Sequence, residues 1–356
     1  MKVKSITIYE LLYHCDCSLD FNLGPLTFVY SKNGFGKSTT LRALVSTMKG
    51  EFDVIKSLPF KRMDINYTDG VNLIVENHEE LSVQIQKNEL EQPIDESELR
   101  RLFQVTYIPP ERQIIRRRDG HLVPAVIVYA TELRDRIRYA KENSELIKPK
   151  EGQRPDLSDG ELVFLFKDLK AKLDYMKDAG MEPDTPSSLR FPPSHSDLAK
   201  KREEYQDLAF GLDDYITRTY QLSESIVVFK DILNNMFHRK TMMINEKDNL
   251  IFRLDNGKDL PLGALSSGEK NMVIIMYRLL FQTVEGSIVV IDEPENSLHI
   301  EWQQNLSNIL LDIGRLRNLQ FIIATHSPQI IHDKWDMARE LRDINAELTD
   351  TDGYCE

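Results

Sequence analysis

The segment SKNGFGKST, residues 31 to 39, matches the pattern G-x-x-x-x-G-K-[ST] from Ser31 to Ser38 with Ser31 in the place of the first glycine. Gly34 and Gly36 let main-chain N–H groups turn inward around phosphate oxygens at the start of the helix that follows. Lys37 supplies a positive charge for the β- and γ-phosphates, and the Ser38 hydroxyl is a ligand for Mg²⁺. Asn33, Gly34, Phe35, Gly36, Lys37, Ser38 and Thr39 are therefore the candidate nucleotide-binding loop. A second site is SIVVIDEPENSLH, where Asp292 and Glu293 end an apolar run. An aspartate there can hold the Mg²⁺ shell together with Ser38, and the adjacent glutamate can polarise a water molecule. Two adjacent acids can also be a solvated loop, but the apolar residues before them argue against it. Ser266, in LSSGEK, and the free amides of the helix it opens make a second anion site. On its own such a serine is only a helix cap. His326, in FIIATHSP, stands just beyond another apolar run. It is a candidate γ-phosphate sensor, although a lone histidine is more often structural.

The elements around these residues follow from pattern. LTFVY reads as a buried strand running into the loop, and TTLRALVSTM behind it has helical spacing. GSIVVIDEPE and LQFIIATHSP are runs of the kind buried on both faces of a parallel sheet. Residues 3 to 30 alternate as strands do, residues 70 to 86 read as a hairpin, and LFQVTYIPPERQ is a strand stopped by Pro109 and Pro110. KTMMINEKDNLIFRLDNGKDLPLGAL suggests a hairpin turning at Asp255-Asn256-Gly257.

The middle of the chain differs. Ser158 with Glu161 forms a capping-box pattern, and Leu162, Leu165, Leu169 and Met176 recur at helical spacing as far as Gly180. A Pro/Ser-rich stretch cannot continue that helix. Then Tyr205, Leu208, Leu212, Tyr215, Thr219, Leu222, Ile226, Phe229, Leu233 and Met236 alternate by threes and fours, as in a heptad seam. Residues 157–238 read as an inserted helical hairpin, either packed on the body or projecting as a coiled coil.

Composition limits the alternatives. The chain has 356 residues, 41% hydrophobic and 29% charged, which suits an ordinary globular protein with room for an insertion. No run approaches a bilayer span, and the alternating start MKVKSITIYELLYH lacks a signal-peptide core. A cytoplasmic location is expected. The three cysteines, Cys15, Cys17 and Cys355, argue against a disulfide framework. Cys15 and Cys17 lie two apart in a strand and so face one way, towards the core; without a second Cys/His pair a metal site is not expected. The net charge of −12 disfavours coating by nucleic acid, yet Arg112, Arg116, Arg117 and Arg118 form a local cluster able to grip phosphates or an acidic partner. The cluster serves equally well as a solvated loop. The tail from residue 345 is acidic.

Taken together and in this order, the motifs resemble ABC-type ATPases, and more closely the soluble branch containing RecF, SMC proteins and the ATPase part of OLD-type proteins. Ser31–Ser38 is similar to Walker A, Leu265–Lys270 to the signature motif, Val289–Glu293 to Walker B and His326 to the switch histidine. DEPENSLHIEWQ resembles the form that branch carries in and after its D-loop. The resemblance implies an α/β fold: a mixed, largely parallel core sheet with an antiparallel β subdomain, interrupted by a helical or coiled-coil hairpin. The implied divisions are 1–150 with Walker A, 151–240 as the insertion, and 241–356 with the other motifs. It further implies ATP and Mg²⁺, with catalytic roles for Lys37, Glu293 and His326. Gln113, or else Gln104, would be the Q-loop glutamine. Two copies would pair head to tail, each offering Ser266 and Gly268 to the other's nucleotide, as a homodimer or higher homo-oligomer.

The ending ATHSPQIIHDKWDMARE looks like the ATPase subunits of two-gene anti-phage systems such as the PARIS and Septu types. A separate effector, a nuclease or toxin, is the implied partner. The rival expectations are a DNA-binding repair ATPase and a non-hydrolysing ATP-gated scaffold. A transporter motor is disfavoured, since no membrane segment is present.

Overall fold

Alternation makes the largest sheet of this protein, and the absence of alternation makes the next largest. The computed structural model describes residues 1–32, 34–88, 90–143, 146–149 and 157–344. Asn33 and the acidic tail with Cys355 lie outside the described residues. The chain divides into two units, Met1–Arg112 with Gln282–Glu356, and Gln113–Phe281.

In the first unit, β1 (Val3–Leu11), β2 (Cys15–Asp20), β4 (Arg62–Tyr67), β5 (Asn72–Asn77), β6 (Leu81–Lys87), β7 (Leu90–Pro93) and β17 (Arg342–Asp343) form an antiparallel sheet in the order β17-β2-β1-β4-β5-β6-β7. Strand β4 shows the rule: Met63, Ile65 and Tyr67 are buried while the residues between them are half-exposed. Cys15 and Cys17 fall on the buried face with their sulfurs 3.4 Å apart. Among the described residues no cluster of three or more His, Cys, Asp or Glu is arranged to hold a metal ion.

The second sheet comprises β3 (Leu26–Tyr30), β8 (Val105–Ile108), β14 (Ile288–Asp292), β15 (Gln320–Ala324) and β16 (Ala338–Glu340), ordered β16-β3-β15-β14-β8, with every pairing parallel. All five residues of β14 and of β15 are buried, as a sheet covered on both faces requires. Helix α1 (Lys37–Met48) covers one face. It is buried nearly all round because it also meets the antiparallel sheet, and Leu41, Leu44 and Met48 share a core with Ile8, Met63, Leu73, Val290 and Ile322. The short helices α2 (Phe52–Lys56) and α3 (Glu96–Leu102) border it, α3 opening on an Asp95–Glu98 capping box. Helix α8 (Ile300–Leu316) covers the opposite face. There Gly314 runs so close to the sheet that an added Cβ would lie 3.2 Å from Phe321 and from Pro25. The helical turn α9 (Pro328–Ile331) follows β15.

The second unit holds the hairpin β9 (Ile114–Arg116) and β10 (Leu122–Pro124), then α4 (Ala125–Glu142), α5 (Asp159–Asp178) and α6 (His195–Met236). Three strands, β11 (Lys240–Ile244), β12 (Leu250–Leu254) and β13 (Asp259–Leu260), lead to α7 (Ser267–Tyr277). The turn at residues 255–257, with Gly257 at φ +78°, joins β12 to β13. A second turn, closed by Asn245 and Asn249, joins β11 to β12, so the segment is a three-stranded meander and not one hairpin.

Ser158 and Glu161 form the capping box of α5. Of the heptad-spaced residues on α6, all are buried except Leu222, which is half-exposed. The hairpin packs on its own unit: Phe229 meets Tyr277 and Phe281 edge-on, with centroids 6.5 and 5.5 Å apart. Tyr129 of α4 stacks on Tyr277 at 4.8 Å. Among the described residues no helix is long and apolar enough to cross a membrane.

Candidate functional site

In a parallel sheet all carboxyl ends lie along one edge, and here that edge gathers residues from distant parts of the chain. Asp292 pairs with Ala324, and Ala324 with Val29, which places Asp292, the residues after Ala324 and the loop after Tyr30 side by side.

The loop after β3 is shaped by two glycines, Gly34 at φ +78° and Gly36 at φ +86°. Gly36 is doubly constrained, because an added Cβ would sit 2.8 Å from Cδ2 of Leu11. Ser31 adopts no left-handed φ, so its position does not require glycine, which accounts for the departure from the pattern. Phe35 packs on the core. Thr39 lies half-buried in the first turn of α1.

Lys37 is buried, 5% exposed, and its Nζ lies 2.8 Å from His326 Nε2 and 3.4 Å from Nδ1. An ammonium can only donate, so the histidine ring accepts. Burial pushes the Lys37 pKa below the usual lysine range, while Asp292, Glu293 and Glu295 pull it back up. Asp292 is 1% exposed. Burial pushes its carboxyl above the usual range and the charge of Glu293 adds to that, against the Ser38 hydroxyl bond, Lys37 and Tyr107. Its Oδ2 accepts a 3.4 Å bond from the Tyr107 hydroxyl, whereas Oδ1 is buried with no hydrogen-bond partner. Glu293 sits at φ +46°, its N–H donates to Ala324 O at 2.9 Å, and its Oε1 lies 3.9 Å from His326 Nε2.

Glu295 escapes a reading of the sequence as a site residue. Its Oε1 accepts from the His326 N–H at 2.7 Å and from the Thr325 hydroxyl at 2.8 Å, which fixes the histidine's backbone. The available signal was its place inside DEPENSLH; the contact with residues 325 and 326 is made only by the pairing of β14 with β15.

The glutamine expectations separate. Gln104 lies at the start of β8, its carbonyl bonded to the Ile288 N–H at the opposite end of β14 from Asp292, and so away from the site. Gln113 belongs to the second unit, where its amide donates to Ser267 O and Asn271 Oδ1, both at 3.1 Å. Ser266 caps α7 in a capping box with Glu269, and Gly268 is buried in the first turn. Glu269 also meets Lys240 at 2.7 Å; burial pushes its carboxyl up, but that ion pair and the Ser266 bonds hold it below the usual range.

One expectation needs correction. Arg112 is not part of a solvated basic cluster with Arg116, Arg117 and Arg118. It is 4% exposed and bonded to main-chain carbonyls of the first unit. The other three arginines are exposed on the β9–β10 hairpin and form no ion pair among the described residues.

A parallel sheet with a glycine loop, paired acids and a histidine along its carboxyl edge, in one unit with an antiparallel sheet, defines an ABC-type P-loop ATPase of the RecF/SMC/OLD branch. The chain belongs to the family described as "AAA domain, putative AbiEii toxin, Type IV TA system", whose profile matches residues 126–332. It is 26% identical over 211 residues to the chromosome partition protein Smc of Fusobacterium nucleatum, covering 54% of this chain and 16% of that protein. It is 22% identical over 385 residues to the retron Vc95 probable ATPase of Vibrio cholerae, covering 93% of this chain and 71% of that protein. Among solved structures, the SMC head domain from Thermotoga maritima aligns at 12% identity with a TM-score of 0.44, covering 97% of this chain and 99% of that one. The chain thus spans about a sixth of the length of the partition protein.

Proposed function

We propose that this chain is an ATP-hydrolysing switch. Two copies pair head to tail around ATP, and hydrolysis opens the pair to release or arm a separate effector protein, a nuclease or toxin, in cytoplasmic defence against phage. The observation that carries the hydrolytic reading is the meeting of Lys37, Ser38, Asp292, Glu293 and His326 at one sheet edge. The similarity to a retron ATPase along 93% of the chain supports the defence role.

In this mechanism the amides of the loop around Gly34 and Gly36 cradle phosphate oxygens at the N-terminus of α1. Lys37 leaves His326 for the phosphates, and the freed imidazole hydrogen-bonds the terminal phosphate. Glu293 accepts a proton from the water that attacks that phosphate, as the bond to the ADP oxygen breaks. Ser266 and the amide end of α7 from the other copy complete the site, with Gly268 leaving room for the phosphate. The site also suits a hard cation, because Asp292 Oδ1 is buried without a partner and the Ser38 hydroxyl bonds the same carboxylate. Ser38 and Asp292 would hold Mg²⁺, which when bound offsets the negative charge on the phosphate oxygens.

Phosphate release by the wild type, set beside a tagged Glu293→Gln variant purified with ATP, tests this reading. Turnover abolished in the variant, together with a stoichiometric effector bound to it, is the expected result. A second reading, a DNA-binding repair ATPase, draws on the exposed Arg116, Arg117 and Arg118. Recovery of DNA with no protein partner, by salt-sensitive binding that stimulates turnover, would favour it.

A further inference from the structure

Arg112 is the last residue of the first unit, and three of its contacts go to main-chain carbonyls. Nη1 donates to Pro109 O at 2.9 Å and to Asp292 O at 3.0 Å, and Nη2 donates to Glu293 O at 2.9 Å. Two of the three acceptors are thus the backbone of the acidic pair itself. Glu293 occupies the left-handed region, which a glutamate holds only where its surroundings enforce it. Here both its backbone groups are held: the N–H by Ala324 of β15, the C=O by Arg112.

We propose that Arg112 is a positioning residue for ATP hydrolysis, clamping the carbonyls of Asp292 and Glu293 so that the Glu293 carboxylate stands at one fixed angle to the phosphate loop. The inference rests on the hydrolytic reading above. The planar fork of a guanidinium suits the task, since it reaches two successive carbonyls at once and carries a charge at any accessible pH. A lysine offers one point of attachment and cannot set the angle of the turn. Two of its three carbonyl bonds hold the backbone of the acidic pair itself, so the loss of Arg112 should act on the chemical step more than on nucleotide binding.

The test compares wild type, Arg112→Gln, Arg112→Lys, Arg112→Gly and Glu293→Gln for affinity towards a fluorescent ATP analogue and for single-turnover hydrolysis. Arg112→Gln should bind nucleotide within about threefold of wild type yet hydrolyse it roughly 10- to 100-fold more slowly, as expected when a reacting group is displaced by about an ångström. Arg112→Lys, which keeps the charge and packs more conservatively, should also lose rate. Millimolar guanidinium should restore part of the rate of Arg112→Gly, whereas ammonium should not. Wild-type rates in Arg112→Gln or Arg112→Lys would overturn the proposal. So would a fall in rate matched by an equal fall in affinity and in melting temperature without guanidinium rescue, which marks a merely structural arginine. If the wild type shows no turnover that Glu293→Gln abolishes, the hydrolytic reading itself has failed and Arg112 falls with it.

Discussion

The Lys37 ammonium and His326 Nε2 are 2.8 Å apart across 289 positions of sequence. The glycine loop and the second residue after β15 meet because β3 and β15 are neighbours in the parallel sheet. The lysine is therefore held at the sheet edge by the side chain proposed to sense the terminal phosphate. Lys37→Ala should abolish nucleotide binding. His326→Ala should leave binding nearly intact and slow hydrolysis by about two orders of magnitude. Equilibrium binding beside single-turnover rates separates the two effects.

Asp292 gives a pH prediction. Burial raises its pKa above 3.8 in the folded chain, even with Lys37 beside it. The folded state then holds that proton more firmly than the unfolded state does. The stabilisation is complete below 3.8 and is lost as pH rises through the folded pKa. Asp292→Asn removes the buried charge, so at pH 7 the nucleotide-free variant should melt about 2 °C higher than wild type. The gap should narrow as pH falls towards 4, as melting curves at several pH values would show. The same variant should lose Mg²⁺-dependent turnover.

The two loop glycines should not be equivalent. Gly34→Ala meets only the cost of a left-handed φ, about 1–3 kcal/mol, because nothing lies within 4 Å of the added carbon. Gly36→Ala adds an overlap with Leu11 at 2.8 Å and should lose more stability and more nucleotide affinity. Adding Leu11→Ala should return part of the Gly36→Ala loss, measurable as non-additivity in thermal melts.

Local chemistry was legible in the sequence wherever it depended on a few consecutive residues. The glycine loop, the acids at the end of β14, the capping boxes at Ser158 and Ser266, and the seam from Tyr205 to Met236 each follow from spacing along one element. What could not be read was set by the pairing of distant strands. Arg112 looks like its neighbours Arg116–Arg118 until β8 is placed beside β14, when its side chain turns inward to carbonyls 180 and 181 positions away. Glu295 reads as a loop acid until β15 brings residues 325 and 326 to it. The sequence prefers Gln113 to Gln104 without deciding between them; the direction of β8 places Gln104 at the end of the sheet opposite Asp292.

The central claim, hydrolysis at a site shared by two copies, is tested most directly by mixing two inactive variants. Lys37→Ala disables a copy's own loop, and Gly268→Asp disables the surface it offers to its partner. Neither alone should release phosphate. Mixed in equal amounts they form a heterodimer with one intact site, and ATP turnover should reappear and depend on Glu293 in the Gly268→Asp chain. If heterodimers form and the mixture stays as inactive as its components, the shared site is contradicted.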